Sequence, residues 1–593
     1  MIFAITILSM FRVDAKELKC DIKNVGENAP VKFDKKDVKD FYATPKDVQW
    51  FKEAKFGVFI CWGPCSLKET EIGWGRLGRR PGNKVKAKGG VPEEVYNNLY
   101  KQFNPEKFNA EEWVKVIKDS GAKYMIFLTK HHDGFCMFDA KNTDYKITNT
   151  PFGRDVAKEL ADACHKLGIK IFWYYSQPDW HHPDYLTKNH DRYREYMYEQ
   201  IEQLLTEYGK IDGIWFDCLN TTWRHWDTPR LIKMIRKLQP GILINSRWGW
   251  GMPIAVNGDF DNPEQEIGKF KIDRPWETCY TMGQGWSWRG EGKLLPISDC
   301  LKILINCVGS GGNLALDCGP KPDGTIDSAS IKNYLEIGKW LKKFGYSVYN
   351  TTAGPYTPSV YGVSTTGKNK IYIHLMASFA SNNSKKIILP NIACKIVSAE
   401  AFNTKMEKPI KLNFTTNAKT ISVDLANVPL DELNTVITLT TDSKLKEMPI
   451  IDSKTLINKL KVAKYTASSK FSDQYSVRNL LGKKEKFEAG INVKSPWIGK
   501  LNQKEYLITA DLGELKKVSA IKLIEPRKRR NIEEFELEYF NGSEWIKFYT
   551  GKYIGLDFAL ITSNFNASKI RLKILKSAST PSLQHFDIYS IAE

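Results

Sequence analysis

Between residues 46 and 345 the chain alternates between two textures. Near-continuous apolar runs, KFGVFICW, KYMIFLT, KIFWYYS, GIWFD, GILINSR and GNLALDC, have no polar side and so predict parallel strands buried on both faces. Between them lie stretches with apolar residues at helical spacing, such as NAEEWVKVIKDSG and DVAKELADACHKLG. Each opens on Asn or Asp, whose side chain can accept a first-turn N–H. Each closes on Gly, which takes the left-handed conformation that ends helices. This strand–helix alternation predicts an α/β fold, a (β/α)8-like TIM barrel. A doubly wound open sheet is the alternative, but no Gly-x-Gly-x-x-Gly turn follows an early strand.

Beyond the barrel the period shortens to two. KIYIHLM, KKIILP, KIVSAEAF, TISVDL and NTVITLTT predict a β-sandwich over 346–447. A polar stretch over 448–459 reads as a linker. Alternation resumes over 460–593, where FNGSEW is an Asn-Gly hairpin between two strands, and predicts a second β-sandwich. No internal repeat or low-complexity tract interrupts this order.

The N-terminus, MIFAITILSMFRVDAKELKC, has a short apolar run followed by Val13-Asp14-Ala15. It reads as a signal peptide over 1–16, lacking the usual basic n-region, and predicts an exported protein, periplasmic, secreted or at the cell surface. The run is too short to span a bilayer, and no other segment reads as a membrane span. The net charge of +19 raises the question of nucleic acid. Lys and Arg are spread thinly, however, with PRKRR the densest run, so the charge favours solubility and acidic surfaces instead. The eleven cysteines are mostly isolated within apolar runs and match no zinc spacing, so buried free thiols are expected. Cys61 and Cys65 are close enough in sequence to pair. The 17 tryptophans suit either core packing or stacking on sugar rings.

In a parallel barrel the chemistry sits where strands end at their carboxyl side. There the sequence places Cys61 and Trp62, His131 and His132, Tyr174, Trp215 with Asp217, and Arg247. Two of only nine histidines stand side by side in TKHHDG. No His-x-His or His-Glu-x-x-His occurs, so no metal or other cofactor is assigned. His181 and His182 read as a surface loop. Asp217 ends an apolar strand that aims it at the rim, although a helix N-cap would also account for it. A glycosidase needs a second carboxylate. Glu264 in GDFDNPEQEIG and Glu277 in RPWETCYTMGQGWSW are the candidates, both read as loop residues on the rim side, with Glu266 behind them.

AKFGVFICWG, AKYMIFLTKHHDGFCMF, NTPFGRDVAKELADACHKLGIK, IDGIWFD, GDFDNPEQ, RPWETC and GGNLALDCGPKPDGTI together resemble the motifs of α-L-fucosidases of glycoside hydrolase family 29. They occur in motif order across 46–345, followed by a β-sandwich as in that family. The resemblance implies a retaining exo-α-L-fucosidase acting through a covalent glycosyl-enzyme intermediate on fucosylated oligosaccharides or glycoconjugates. Asp217 matches the nucleophile. The acid/base varies in position across the family, and Glu264 is the first choice and Glu277 the second. His131, His132, Tyr174, Trp215 and Arg247 match sugar contacts, Trp74 a loop aromatic, and Trp286 or Trp288 an aromatic lining the pocket. Residues 460–593 resemble a discoidin-like (factor 5/8 C-type) domain, and many such modules bind carbohydrate.

Two positions depart from the family pattern. Its His-Trp-Gly is here Cys61-Trp62-Gly63, and its Glu-Trp is Gly73-Trp74, with Glu71 nearby. A thiol is a poor substitute for imidazole in hydrogen bonding. Altered sugar preference follows as an expectation, α-L-galactoside being the related substrate. The other readings are a metal-dependent hydrolase on the same barrel and a non-catalytic glycan-binding protein.

Overall fold

The computed structural model describes residues 40–83, 90–251, 258–267, 269–292, 294–380, 385–445, 449–481, 495–526 and 529–592. The leader expected over 1–16 lies outside the described residues. The chain falls into two compact units. One runs to Cys300 and resumes over Gly311–Asn350, and the other comprises Leu301–Ser310 and Thr351–Glu593.

The first unit is built on a parallel sheet of β1 (Phe56–Ile60), β2 (Tyr124–Lys130), β3 (Lys170–Tyr175), β4 (Gly213–Phe216), β5 (Leu243–Ile244), β6 (Glu277–Thr281) and β7 (Asn313–Cys318). Their order is β5-β4-β3-β2-β1-β7-β6, so β5 and β6 stand at opposite edges. Parallel bridges join the edges through one irregular segment: Asn245 to Phe260, Asp261 to Trp276, and Glu264 to Cys279. Residues 260–264 thus occupy the place of an eighth strand, and the unit is (β/α)8-like.

The helices that alternate with these strands start and stop where local chemistry requires. α1 (Pro45–Ala54) opens on a capping box between Thr44 and Asp47. Asn109 caps α2 (Ala110–Asp119) and Asp155 caps α3 (Val156–Leu167), each side chain accepting a first-turn N–H. Gly168 ends α3 in the left-handed conformation. The strands are buried on both faces. Phe51 of α1 packs on Phe172 and Phe260 inside the sheet.

The irregular eighth segment is held by one carboxylate. Asp259 accepts the backbone N–H of Ala43 and that of Ile244, both at 2.7 Å, and pairs with Arg236 at 2.7 Å. Both partners of the ion pair are buried.

In the second unit, a six-stranded antiparallel sheet built on Lys370–Leu375 and Thr435–Thr441 faces a three-stranded one of Lys386–Pro390, Thr420–Asp424 and Phe414–Thr416. Ile371, Ile373, Ile387, Leu389, Ile421, Val423, Ile437 and Leu439 form one core between them. An eight-stranded sheet follows, with Tyr506–Ile524 paired to Phe558–Ser577 and to His585–Ile591. Where described, the expected linker is structured: Ile457–Lys459 pairs with His585–Ile591, and Ile451 donates to Pro355. Ser378–Phe379 pairs with Leu560–Ile561, and Ala520, Ala559 and Ile561 complete the preceding core. These two β regions therefore share hydrogen bonds and apolar packing instead of hanging on a free tether.

Removing one partner of a buried ion pair leaves an uncompensated charge, at a cost of about 3–5 kcal/mol. Asp259→Ala strands Arg236 and two backbone donors together. It is expected to lower unfolding stability by at least that amount in a denaturant titration, while Asp259→Asn, which can still accept one N–H, loses less.

Candidate active site

The TKHHDG segment shows how strand chemistry is partitioned. The Lys130 ammonium is fully buried, 3.5 Å from Asp179, and lies over the Tyr175 ring. Asp133 accepts the Tyr96 hydroxyl at 2.7 Å, and that hydroxyl accepts the Gly73 N–H at 2.8 Å. These outward pairs fix the turn and leave His131 and His132 to the barrel mouth.

His132 lies between a serine and a carboxylate. Its Nδ1 is 2.6 Å from Ser176 Oγ, and the Ser176 hydroxyl donates to the Pro178 carbonyl. The serine proton is thereby used, so Nδ1–H must be the donor and Nε2 carries the lone pair. Burial holds both imidazoles well below the usual histidine range, so they are neutral. Nε2 stands 3.6 Å from Asp217 Oδ2 with no hydrogen-bond partner. Two acceptors facing each other leave Nε2 able to accept from a donor beside them. His131 Nδ1 is likewise buried without a partner, and its ring stacks on Tyr174 at 5.7 Å and 11°.

Asp217 follows β4 and receives the Tyr174 hydroxyl at 3.0 Å. Arg247 Nη1 is 3.5 Å from its other oxygen, while Arg247 Nη2 is 2.9 Å from Glu264 and donates to the Asn262 carbonyl at 3.2 Å. The guanidinium lies over the Trp215 ring at 4.8 Å. Burial raises the Asp217 carboxyl above its ordinary value, and Arg247 and Tyr174 oppose that rise. Trp215 stacks on Tyr174 and meets Phe59 edge-on, and Phe59 packs against Trp286. An apolar wall thus stands beside a polar cluster of Asp217, Glu264, Arg247, His131 and His132. Among the described residues no group of three or more His, Cys, Asp or Glu side chains is arranged to hold a metal ion, and no helix is long and apolar enough to cross a membrane.

The sequence profile of the family described as Alpha-L-fucosidase matches residues 27–346 of this chain. The chain belongs to the alpha-L-fucosidase family. It is 27% identical over 374 residues to the tissue alpha-L-fucosidase of Homo sapiens, covering 57% of this chain and 80% of that protein. Among solved structures it resembles alpha-L-fucosidase isoenzyme 1 from Paenibacillus thiaminolyticus, with a TM-score of 0.60 and 32% identity over 67% of this chain and 99% of that one. It also resembles an alpha-L-fucosidase from Bacteroides thetaiotaomicron trapped as a covalent intermediate with 2-fluoro-fucosyl fluoride, with a TM-score of 0.58 and 25% identity over 68% of this chain and 99% of that one. Members of the alpha-L-fucosidase family are glycoside hydrolases, so the chain is read as an enzyme.

Within this fucosidase-family barrel, several sequence candidates fall elsewhere than expected. Glu277 is not on a rim loop. It is the first residue of β6, fully buried, and it receives the Trp215 indole N–H at 3.2 Å and the Tyr124 hydroxyl. Trp288 lines a cleft with Gly283, Ser287, Cys318 and Asp327, and Trp286 is the aromatic of that pair that packs against Phe59. The Glu266 side chain is exposed. Glu71 does not stand in for a sugar-binding glutamate: it accepts the Trp286 N–H at 2.9 Å and the Ser287 N–H at 3.2 Å, and so holds the Trp286 loop. Trp74 lies edge-on to His132 at 5.6 Å. Cys61 is buried, and burial together with neighbouring Asp317 pushes its thiol up. It is not bonded to Cys65, and the ten described cysteines are all free.

Gly73 has a physical reason. Its φ is +62°, and a Cβ there would stand 2.5 Å from His131 Nδ1. Tyr124, Ser176, Phe59 and Trp180 were not singled out from the sequence. Only their places at strand ends or on the inward face of a strand could have marked them.

Burial raises the Glu277 carboxyl to about 7, against the hydrogen bonds from Tyr124 and Trp215. The folded chain therefore holds this proton more tightly than the unfolded chain. The stabilisation is complete below the ordinary glutamate value and is lost as pH rises through about 7. Glu277→Gln keeps an acceptor for Trp215 and cannot ionise. Its melting temperature is expected to fall less than the wild type's between roughly pH 4.5 and 7, as thermal scans across that range would show.

Proposed function

We propose that this chain is a retaining exo-α-L-fucosidase that releases terminal α-L-fucose from glycans. The observation that carries the reading is the meeting of Asp217 and Glu264 on the single guanidinium of Arg247. Retaining glycosidases need two carboxyl groups only about 5–5.5 Å apart, and sharing one cation keeps Asp217 and Glu264 close neighbours.

Asp217 attacks the anomeric carbon, forming the ester bond as the glycosidic C–O bond breaks. Glu264 gives its proton to the departing oxygen. For that, the oxygen of the leaving group must displace Arg247 from Glu264. Water then attacks the ester carbon, Glu264 takes its proton, and α-L-fucose leaves with Asp217 ionised again. Tyr174 and Arg247 stabilise the Asp217 carboxylate as leaving group. The bare Nε2 of His132 accepts a sugar hydroxyl. Trp215, Phe59 and Trp286 offer the apolar surface that suits the C5 methyl group of fucose. The C-terminal β region is proposed as a carbohydrate-binding module on its discoidin-like motifs, and export on the apolar run Ile2–Phe11.

Asp217→Gly is expected to lose at least about 10³-fold in kcat on aryl α-L-fucoside while keeping the wild-type circular dichroism spectrum. Added azide should restore turnover and yield β-L-fucosyl azide, because the small anion enters from the vacated face. Turnover near the wild-type rate without azide would overturn the assignment. Aryl α-L-galactoside, run beside the fucoside, reads the effect of Cys61 on sugar preference.

Glu264→Gln separates the two acid candidates. A missing general acid costs about 10²–10⁴-fold. The loss should be greater on a fucosylated oligosaccharide than on an aryl fucoside whose leaving group departs unaided. The same pattern in Glu277→Gln, with Glu264→Gln near wild type, would move the role to the barrel interior.

A further inference from the structure

Beside the site stands an arginine without a carboxylate partner among the described residues. Arg80 Cζ lies over the Trp180 ring at 5.3 Å, and Trp180 meets Trp74 at 5.3 Å. Both tryptophans contact His132, at 5.1 and 5.6 Å, and His132 reaches Asp217. The guanidinium is therefore one aromatic ring away from the sugar-facing imidazole. The same loop touches the segment that follows Asp217, where the Asn220 amide reaches the Gly82 carbonyl at 3.5 Å.

The nearby acids are already committed. Glu93 pairs with Arg76 at 2.6 Å and accepts the Arg79 N–H. Asp133 holds Tyr96, and Asp179 holds Lys130 and the N–H groups of His181 and His182. Among the described residues, Arg80 donates to the carbonyls of Trp74 and Arg76, and its Nε is buried there without a hydrogen-bond partner. Neutral donors would serve those carbonyls equally well, so they do not account for a cation. A partly desolvated guanidinium without a counter-ion is costly, and its planar fork matches an oxyanion.

We infer that Arg80 equips this site to take glycans bearing an anionic oxyacid group, a sulfate ester or a carboxylate, close to the scissile fucose. The inference rests on the fucosidase reading above. Trp74 and Trp180 form the aromatic floor, and Arg80 binds the anion. Neutral fucosylated glycans lack that contact and are the poorer substrates.

The test uses the full chain and three oligosaccharides with the same fucose linkage: one neutral, one sulfated on the sugar next to fucose, and one carrying a sialic acid there. A charge-assisted hydrogen bond corresponds to about tenfold or more in the ratio of kcat/KM, acidic over neutral. That ratio should shrink as salt is added. Arg80→Gln should bring it close to one, and Arg80→Lys should retain part of it. A preference confined to the sulfated or to the sialylated substrate identifies which anion is recognised. A wild-type ratio near one for both, or an unchanged ratio in Arg80→Gln, overturns the inference. Release of fucose from none of the three would instead count against the proposed hydrolysis. Calorimetric binding of the same glycans to Asp217→Asn, and to that variant carrying Arg80→Gln, reads the anion preference without turnover.

Discussion

The site depends on one buried cation. Arg247 is shared between Asp217 and Glu264, it lies on the face of Trp215, and its remaining reach is spent on the Asn262 carbonyl. Two carboxylates this close and this buried would repel, and one would take up a proton. The guanidinium between them offsets that repulsion, and its own charge is held more firmly for it: burial opposes the proton, but Glu264 and Asp217 raise the Arg247 value. The three residues come from three places in the circle, the ends of β4 and β5 and the irregular eighth segment. The cation therefore also sets the register of the least regular part of the barrel. Its backbone joins in, since the Arg247 carbonyl accepts the Cys218 N–H at 3.2 Å.

Beneath the cation lies a second constraint, and it explains the misplaced glutamate. Glu277 receives both Tyr124 and Trp215, so a carboxyl in the barrel interior orients the indole on which Arg247 and Tyr174 rest. Tyr124 reaches inward over Gly57, where any Cβ would fall 2.3 Å from its ring. A missing methyl group on β1, a phenol on β2, an acid on β6 and an indole on β4 thus make one layer. That layer transmits the packing of the barrel floor to the groups at its mouth.

Much of this was legible because it follows from periodicity. The six apolar runs became β1 to β5 and β7, and Asn109, Asp155 and Gly168 cap helices as their chemistry requires. Strand ends alone brought His131, His132, Tyr174, Asp217 and Arg247 to one rim. The sequence was mute where the period fails. β5 is two residues long, and residues 260–264 pair through single bridges, so no alternation announces them. Glu277 was read as a loop residue because Trp276 and the following Thr-Cys-Tyr-Thr do not form an apolar run, although all five residues of β6 are buried. Trp286 and Trp288 cannot be separated by spacing. Only the Glu71 carboxylate, gripping the N–H of Trp286 and Ser287, decides which indole turns toward Phe59.

The two departures from the family pattern are not equivalent. At 73 the backbone adopts a left-handed conformation pressed against His131 Nδ1, and its N–H is tied through Tyr96 to Asp133. Glycine is required there by geometry, and a side chain that reached the sugar from this position would first have to displace an imidazole. Glu71, two residues earlier, has taken a supporting task instead. At 61 the change is chemical. The thiol is buried, it faces Asp317, and both effects favour its neutral form, a weak donor and weaker acceptor. The rim therefore carries a neutral thiol on the β1 side and two imidazoles on the β2 side. On the proposed hydrolysis, sugar recognition would rest chiefly on His131 and His132, with further affinity drawn from the rest of the glycan.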